Sequence, residues 1–395
     1  MIVSSIALGW QMKNEQFLSS VDFLSNLKLR LSWGKTGNNN LTNDITWTKL
    51  DLSRYLFGST GVNGFGTGSN KGNEDLQWEM TAEYNAGVDF GFFKDRLTGS
   101  VDFYHRTTDG LIFSRSVGSV NGYNSVYQNI GTTLNKGVEL ALGSVNISQN
   151  DFSWRTKLTF SLNRNEIIDL FGDKKDDLGN RWFIGHPIQV IYDFKQLGIW
   201  QENEAEEAAK YGQSVGHIHV QDVNGDYALD QQDYQILGSP MPDWTAGMNN
   251  TFTYRQFDLS IDILARIGGL YDDEFAYMFT AWDNEHWNKL DVPYWTPENG
   301  ANKYQQVGAQ SYYTQVLGKT SGTFVKIQNI TLGYAIPASV LKKINIKDVR
   351  IYGSVQNPFT FTDYIGSDPE IIGENVSTQL SLYPLTTTIG VKLNF

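Results

Sequence analysis

The chain has 395 residues, with 43 Asp and Glu against 31 Lys and Arg, a net charge of −12 and no cysteine. These numbers exclude disulfides and cysteine-ligated metals, and they disfavour a grip on nucleic-acid phosphates. No run approaches the ~18 uninterrupted apolar residues of a membrane helix; that leaves a strand-built membrane protein open, because alternating strands average to neutral hydropathy.

Met1 is followed by IVSSIALGW, which has no basic start, long apolar core or small-residue cleavage site. It is not a secretory signal, and an envelope protein needs one. The expectation is therefore that the amino terminus of the natural protein lies further upstream. The first clear strand pattern is Leu27, Leu29, Leu31 and Trp33 opposed by Lys28, Arg30, Ser32 and Gly34. Residues i and i+2 share a strand face, so one face is apolar and the other polar. A long stretch at 39–75 follows, and its Gly-rich part, 61–73, reads as a flexible loop; it lacks the residue order of a phosphate loop. Strands are expected over 76–92 and 97–115, joined by the short turn Lys94-Asp95-Arg96. Another is expected over 152–168, after a turn from Ser148 to Asp151.

Beyond 201–242, a long stretch, strands are expected at 243–254 and 257–267, then at 322–336, 347–361 and 384–395. The last shows the alternation best: Ile389, Val391, Leu393 and Phe395 on one face, Thr388, Gly390, Lys392 and Asn394 on the other. Short turns alternating with long loops are the layout of outer-membrane barrels, with the short turns in the periplasm. Counting strand directions from both ends calls for one extra strand near 177–186, giving about 13 strands. Trp and Phe near strand ends, among them Trp33, Trp78, Trp154 and Trp244, suit a membrane–water boundary. A soluble β-sandwich also alternates, but these strands are longer than its usual ~5–6 residues.

Three loop features carry candidate chemistry. Asp222, Asn224, Asp226, Asp230 and Asp233 place oxygens at positions 1, 3, 5, 9 and 12 of a calcium loop. Tyr227 stands at the sixth position, where such a loop prefers Gly, and Asp233 replaces the usual Glu. The competing reading is a solvated acidic turn. The segment 282–304 contains Trp282, Trp287, Tyr294 and Trp295, whose faces suit sugar rings or a lid protein; packing of the loop on itself is the competing and favoured reading. His217 and His219 share a strand face with no third metal ligand nearby. The acidic clusters Asp176-Asp177 and Asp272-Asp273-Glu274 read as solvated loop faces. No nucleophile–base grouping stands out, so no catalysis is expected.

Seven segments, in order, carry a resemblance. They are LKLRLSWGKTGNN (27–39), LQWEMTAEYNAGVDFGFFKDRLTGSVDFYHRTTDGLIF (76–113), NIGTTLNKGVELAL (129–142), DVNGDYALDQQDYQILGSPMPDWTAGMNNTFTYRQFDLSI (222–261), FVKIQNITLGYAIP (324–337), QNPFTFTDYIGSDPEI (356–371) and TTTIGVKLNF (386–395). Together they resemble the SusC/RagA type of TonB-dependent outer-membrane transporter. The resemblance implies an all-β, antiparallel transmembrane barrel of about 22 strands, with an amino-terminal plug. It also implies TonB-driven import, and a SusD-like lipoprotein lid that captures glycans or peptides. The chain would be the carboxyl-terminal portion, with plug and early strands outside it. Phe395 would be read by the barrel-insertion machinery, and lipid would surround the apolar rows. By alternation Lys28, Arg30, Asp102, Arg155 and Lys157 would face the lumen. Alternative readings are a passive porin or adhesin, or a soluble carbohydrate-binding sandwich.

Overall fold

A computed structural model describes residues 3–39, 45–68, 70–118, 120, 122–172, 174–282, 288–310, 312–341, 346–373 and 383–394. Its main element is an eleven-stranded sheet in which each strand pairs with the next in sequence. The strands are β1 (Ser5–Gln11), β2 (Leu24–Asn38), β3 (Glu79–Phe92), β4 (Leu97–Asp109), β5 (Thr132–Gln149), β6 (Phe152–Asp169), β7 (Trp244–Tyr254), β8 (Phe257–Ile267), β9 (Phe324–Ala335), β10 (Asp348–Thr362) and β11 (Thr386–Asn394).

The expected extra strand near 177–186 does not form. β6 pairs directly with β7, from Phe152↔Tyr254 to Ser161↔Thr245. The direction counts from the two ends then agree with eleven strands and no insertion. Residues 177–186 form only single bridges, Asp177↔Trp182 and Ile167↔Ile184. The expected strand 97–115 also divides. Gly110 takes φ +64, and Ile112–Ser116 pairs with Ser125–Asn129 outside the main sheet. The Gly-rich run is not a plain loop either: Thr60–Thr67 pairs with Leu50–Phe57 across a tight turn at Gly58. Its alternation was diluted by glycines that contribute no side chain.

The side-chain rows fall as the period of two requires. Register places Asp258, Ser260 and Asp262 opposite Thr253, Thr251 and Asn249 on one face, with Leu259, Ile261 and Ile263 on the other. Apolar rows are not covered by a second sheet: Ile389 is 81% exposed, with Val391 and Leu393 also open. That geometry rules out the sandwich, in which such rows interdigitate with a facing sheet. Short turns join β3 to β4, β5 to β6 and β7 to β8, and positive φ at Phe93, Lys94, Asp95, Asn150 and Arg255 tightens them.

The chain forms two compact units, residues 1–90, 100–139 and 163–188 in one and 91–99, 140–162 and 189–395 in the other. Within the second, the long connections fold on themselves. Phe194, Ile199, Ile218, Val220, Trp295, Tyr304, Val316 and Leu317 make a hydrophobic core. Hairpins Ile191–Asp193 with Gln235–Gly238, and Gln196–Ile199 with Ile218–Val220, frame it.

Candidate functional site

The polar face of the sheet is a wall of paired side chains. Arg30 on β2 reaches across two strands. Its Nη2 donates to Asp89 Oδ1 at 2.8 Å and its Nη1 to Asp102 Oδ1 at 2.9 Å. Side chains on adjacent strands of one face lie close enough for such bonds, and the planar guanidinium fits two carboxylates in fork geometry. Gly87 lies under this cluster; a Cβ there would collide with Arg30 and Asp102. Arg350 on β10 grips Asp258 on β8 in the same way, and Gly333 between them leaves the room. Alternation had placed Arg30 and Asp102 on one face, and they meet there. Asp89 on β3, which the alternation of Arg30 and Asp102 does not single out, is the second carboxylate of the fork. Arg155 and Lys157 stay exposed on that face.

On and beside the strands of the Arg350–Asp258 pair runs a hydrogen-bond network of Asn, Ser and Thr. Asn249 donates to Ser260 at 2.9 Å and to Asp262 at 2.5 Å. Asn329 donates to Asp262 and to Thr331, and Ser354 donates to Asn329 Oδ1 at 2.6 Å. Neutral polar side chains in this density fit a water-facing wall rather than an apolar core, because each would cost free energy if buried unpaired.

The acidic loop is held by its own backbone. Asp222 accepts from the N–H groups of Gly225 at 2.7 Å and Tyr227 at 3.0 Å. Asp226 accepts from Ala228, and Asp230 from Gln232. Asp233 is fully buried and accepts from Val223 and Asp230. Desolvation would raise the Asp222 carboxyl, but these amide donors and the Tyr211 hydroxyl outweigh it and hold it below the ordinary range. Tyr227 takes φ +64, the left-handed turn that a calcium loop requires at its sixth position. Among the described residues no three acidic or histidine side chains converge as a ready metal group.

The aromatic segment packs inward. Trp295 is 3% exposed, and its Nε1 donates to Gln201 Oε1 at 3.0 Å. It offers no face to a sugar, which corrects its assignment as a contact residue: burial in the loop core uses the ring completely. Tyr294 and Trp282 are half-buried, with ring centroids 5.7 Å apart. Trp287 and Phe395 lie outside the described residues. The histidines diverge: His217 bonds with Gln213, while His219 stacks on Trp200 at 3.5 Å. Burial pushes both imidazoles below their ordinary value. Asp273, expected in a solvated cluster, is instead fully buried and caps the helix Glu274–Thr280 through Ala276 N–H.

Two buried lysine clusters escaped the sequence reading. Lys326 is fully buried and sits 2.6 Å from both Asp368 and Glu370. Lys319 pairs with Asp193 at 2.8 Å and Asp272 at 2.9 Å. Asp368 and Glu370 lie beyond β10, Asp193 lies before β7, and Asp272 stands at the far end of Lys319's own connection, so no local spacing announces them.

Residues 3–357 match the family described as "TonB dependent receptor-like, beta-barrel". The chain belongs to that family. It is an outer-membrane β-barrel chain, and its apolar rows are the membrane-facing ones. It is 32% identical to a TonB-dependent receptor of Formosa agariphila, over 98% of this chain and 41% of that protein. It is 31% identical to TonB-dependent receptor SusC of Bacteroides thetaiotaomicron, over 99% of this chain and 40% of that protein. Among solved structures it is similar to a chain of the RagAB peptide transporter, with TM-score 0.81 and 25% identity, covering 100% of this chain and 43% of that one. The chain thus spans about two fifths of the length of the curated relatives it matches.

Proposed function

We propose that this chain builds part of the barrel wall of a TonB-driven outer-membrane importer, one that takes up glycans or peptides together with a SusD-like surface lipoprotein. The observation that carries the reading is the two-faced sheet. An open apolar face suits lipid, and a face of ion pairs and Asn/Ser/Thr bonds suits a water-filled passage. The relatives support the rest: one is named SusC, and a similar solved chain belongs to a peptide transporter. A passive porin would share the two faces but would need no TonB. Uptake of labelled oligosaccharides and oligopeptides by cells carrying the full-length protein, with and without functional TonB, tests this. Uptake that persists without TonB would refute it.

The acidic loop supports a secondary proposal. Asp222, Asn224, Asp226, Asp230 and Asp233 would hold Ca²⁺ through oxygen alone, the ligand type that hard cation prefers. Tyr227 already takes the conformation the loop needs, and Asp222, Asp226, Asp230 and Asp233 would turn from their amides to the ion. The ion would stiffen an exterior loop. Calorimetric titration of the full-length protein with Ca²⁺, and of its Asp222→Ala variant, should give one site lost on substitution; no heat of binding in either would dispose of it.

A further inference from the structure

Lys326 is a wall residue that water does not reach. Register puts it on the polar face of β9, between Leu264 of β8 and Thr360 of β10. Arg155 and Lys157 on the polar face of β6 are open. Lys326 is fully buried instead, because the connection after β10 folds back over it. That connection is fixed in place. Arg266 Nη2 donates to the Pro369 carbonyl at 2.5 Å, and Ile371 and Ile372 are buried.

The groups around Nζ stand as a condensation requires. Asp368 Oδ2 and Glu370 Oε2 each lie 2.6 Å from it. At an ordinary acceptor angle, that contact puts Asp368 Cγ within roughly the 3–3.5 Å of a near-attack approach. Asp368 is 4% exposed, and its Oδ1 accepts from the Glu370 N–H at 2.9 Å. This amide would steady negative charge on Oδ1 as Cγ is attacked, in the manner of an oxyanion hole. Glu370 is half-buried, and its other oxygen accepts from Gln328 Nε2 at 3.4 Å, on a side open to water. The Tyr383 ring centre lies 5.7 Å from Nζ. Lys319 differs, because one of its two carboxylates, Asp272, is 55% exposed.

We propose that Lys326 and Asp368 join in an intramolecular isopeptide bond, with Glu370 as proton carrier. Two carboxylates hold the resting lysine as an ammonium. Glu370 relays one proton from Nζ to Asp368 Oδ2, which turns the ion pair into a neutral amine and acid. Nζ then attacks Cγ, and charge passes to Oδ1. Glu370 relays a second proton from the nitrogen to Oδ2, the Cγ–Oδ2 bond breaks, and Oδ2 leaves as water. An ammonium and a carboxylate thus become an amide and one water. Glu370 ends as it began, and nothing is oxidised or reduced. Two charges that are costly to bury disappear. The high effective concentration of groups held in contact offsets the unfavourable equilibrium of amide formation in water. The bond staples the β10–β11 connection to the wall, and it does not depend on the import reading.

Peptide mapping of the detergent-purified full-length protein by mass spectrometry tests it. Trypsin should release the stretch around Lys326 joined to the stretch around Asp368, lighter than the two together by one water and uncut after Lys326. Glu370→Gln keeps the size of the side chain and removes the base; it should slow linkage about a hundredfold or more, so freshly made protein gives free peptides. Asp368→Ala should give free peptides at any age. Should either variant fail to insert, the natural protein decides by itself. Separate peptides from the natural protein, with cleavage after Lys326, would overturn the proposal. Linkage in Glu370→Gln as complete as in the natural protein would overturn it too.

Discussion

The sheet and the folded loops solve opposite problems with similar residues. In the loops, Ile218 is 1% exposed and Trp295 3%; apolar side chains meet each other, as in a soluble core. In the sheet, Ile389 is 81% exposed, and its apolar row has the bilayer as its packing partner. The lesson is that exposure means different things in the two regions. An exposed isoleucine is normal on the sheet and would be a fault in the loops. A paired arginine such as Arg30 belongs on the sheet wall, whereas the loops bury charge only when it is clamped, as Lys319 is by two carboxylates.

This comparison breaks most visibly at the loop core. Trp295→Ala should cost about 3–5 kcal/mol of local stability, as large-to-small core substitutions do. Limited proteolysis of intact cells would then cut the loops while the barrel keeps its heat-modifiable gel mobility. If the barrel were lost as well, the two regions would not be separable.

The next largest effect is on the sheet. Ile389→Arg should cost about 2–4 kcal/mol, the range for a charge on the lipid face at mid-membrane. Thr388→Arg, one residue earlier and on the polar row, should be close to neutral. Folding into phosphocholine vesicles, followed by urea titration, separates them; similar costs at the two positions would mean that the faces are misassigned.

Arg30→Met probes the wall. It leaves Asp89 and Asp102 facing each other without their shared cation. Because all three groups touch water, a cost of about 1 kcal/mol is expected in the same vesicle assay. A smaller effect comes from pH. Burial holds His217 and His219 below the ordinary 6.5, so the unfolded loops bind protons more readily than the folded ones. Their contribution is complete above about pH 6.5 and is lost as pH falls through the lower folded values. Protease sensitivity of the loops should therefore rise from pH 7.5 to pH 5, and His219→Phe should flatten that rise.

Much of the sheet was legible because its chemistry repeats every two residues. The rows of β2, β8 and β11 could be read directly, and alternation put Arg30 and Asp102 on one face. The false strand near 177–186 arose from counting directions without knowing which strands pair. The hairpin Leu50–Phe57 with Thr60–Thr67 was hidden because its second strand is rich in glycine. The acidic loop was visible by spacing, but not the turning of its carboxylates onto their own amides. Trp295 was visible as an aromatic, but its burial was not, because the residues that cover it come from connections about a hundred positions away along the chain.

The sequence by itself determined the two-faced strands, the membrane-facing rows and the family, since each follows from side-chain period and local motif. Only the tertiary structure decided the pairing of β6 with β7, the loop core around Ile218 and Trp295, and the clamps on Lys319 and Lys326. The physical reason is range. A strand face is fixed by neighbours two residues apart, whereas a packed core or a buried ion pair joins groups whose separation along the chain carries no period to read.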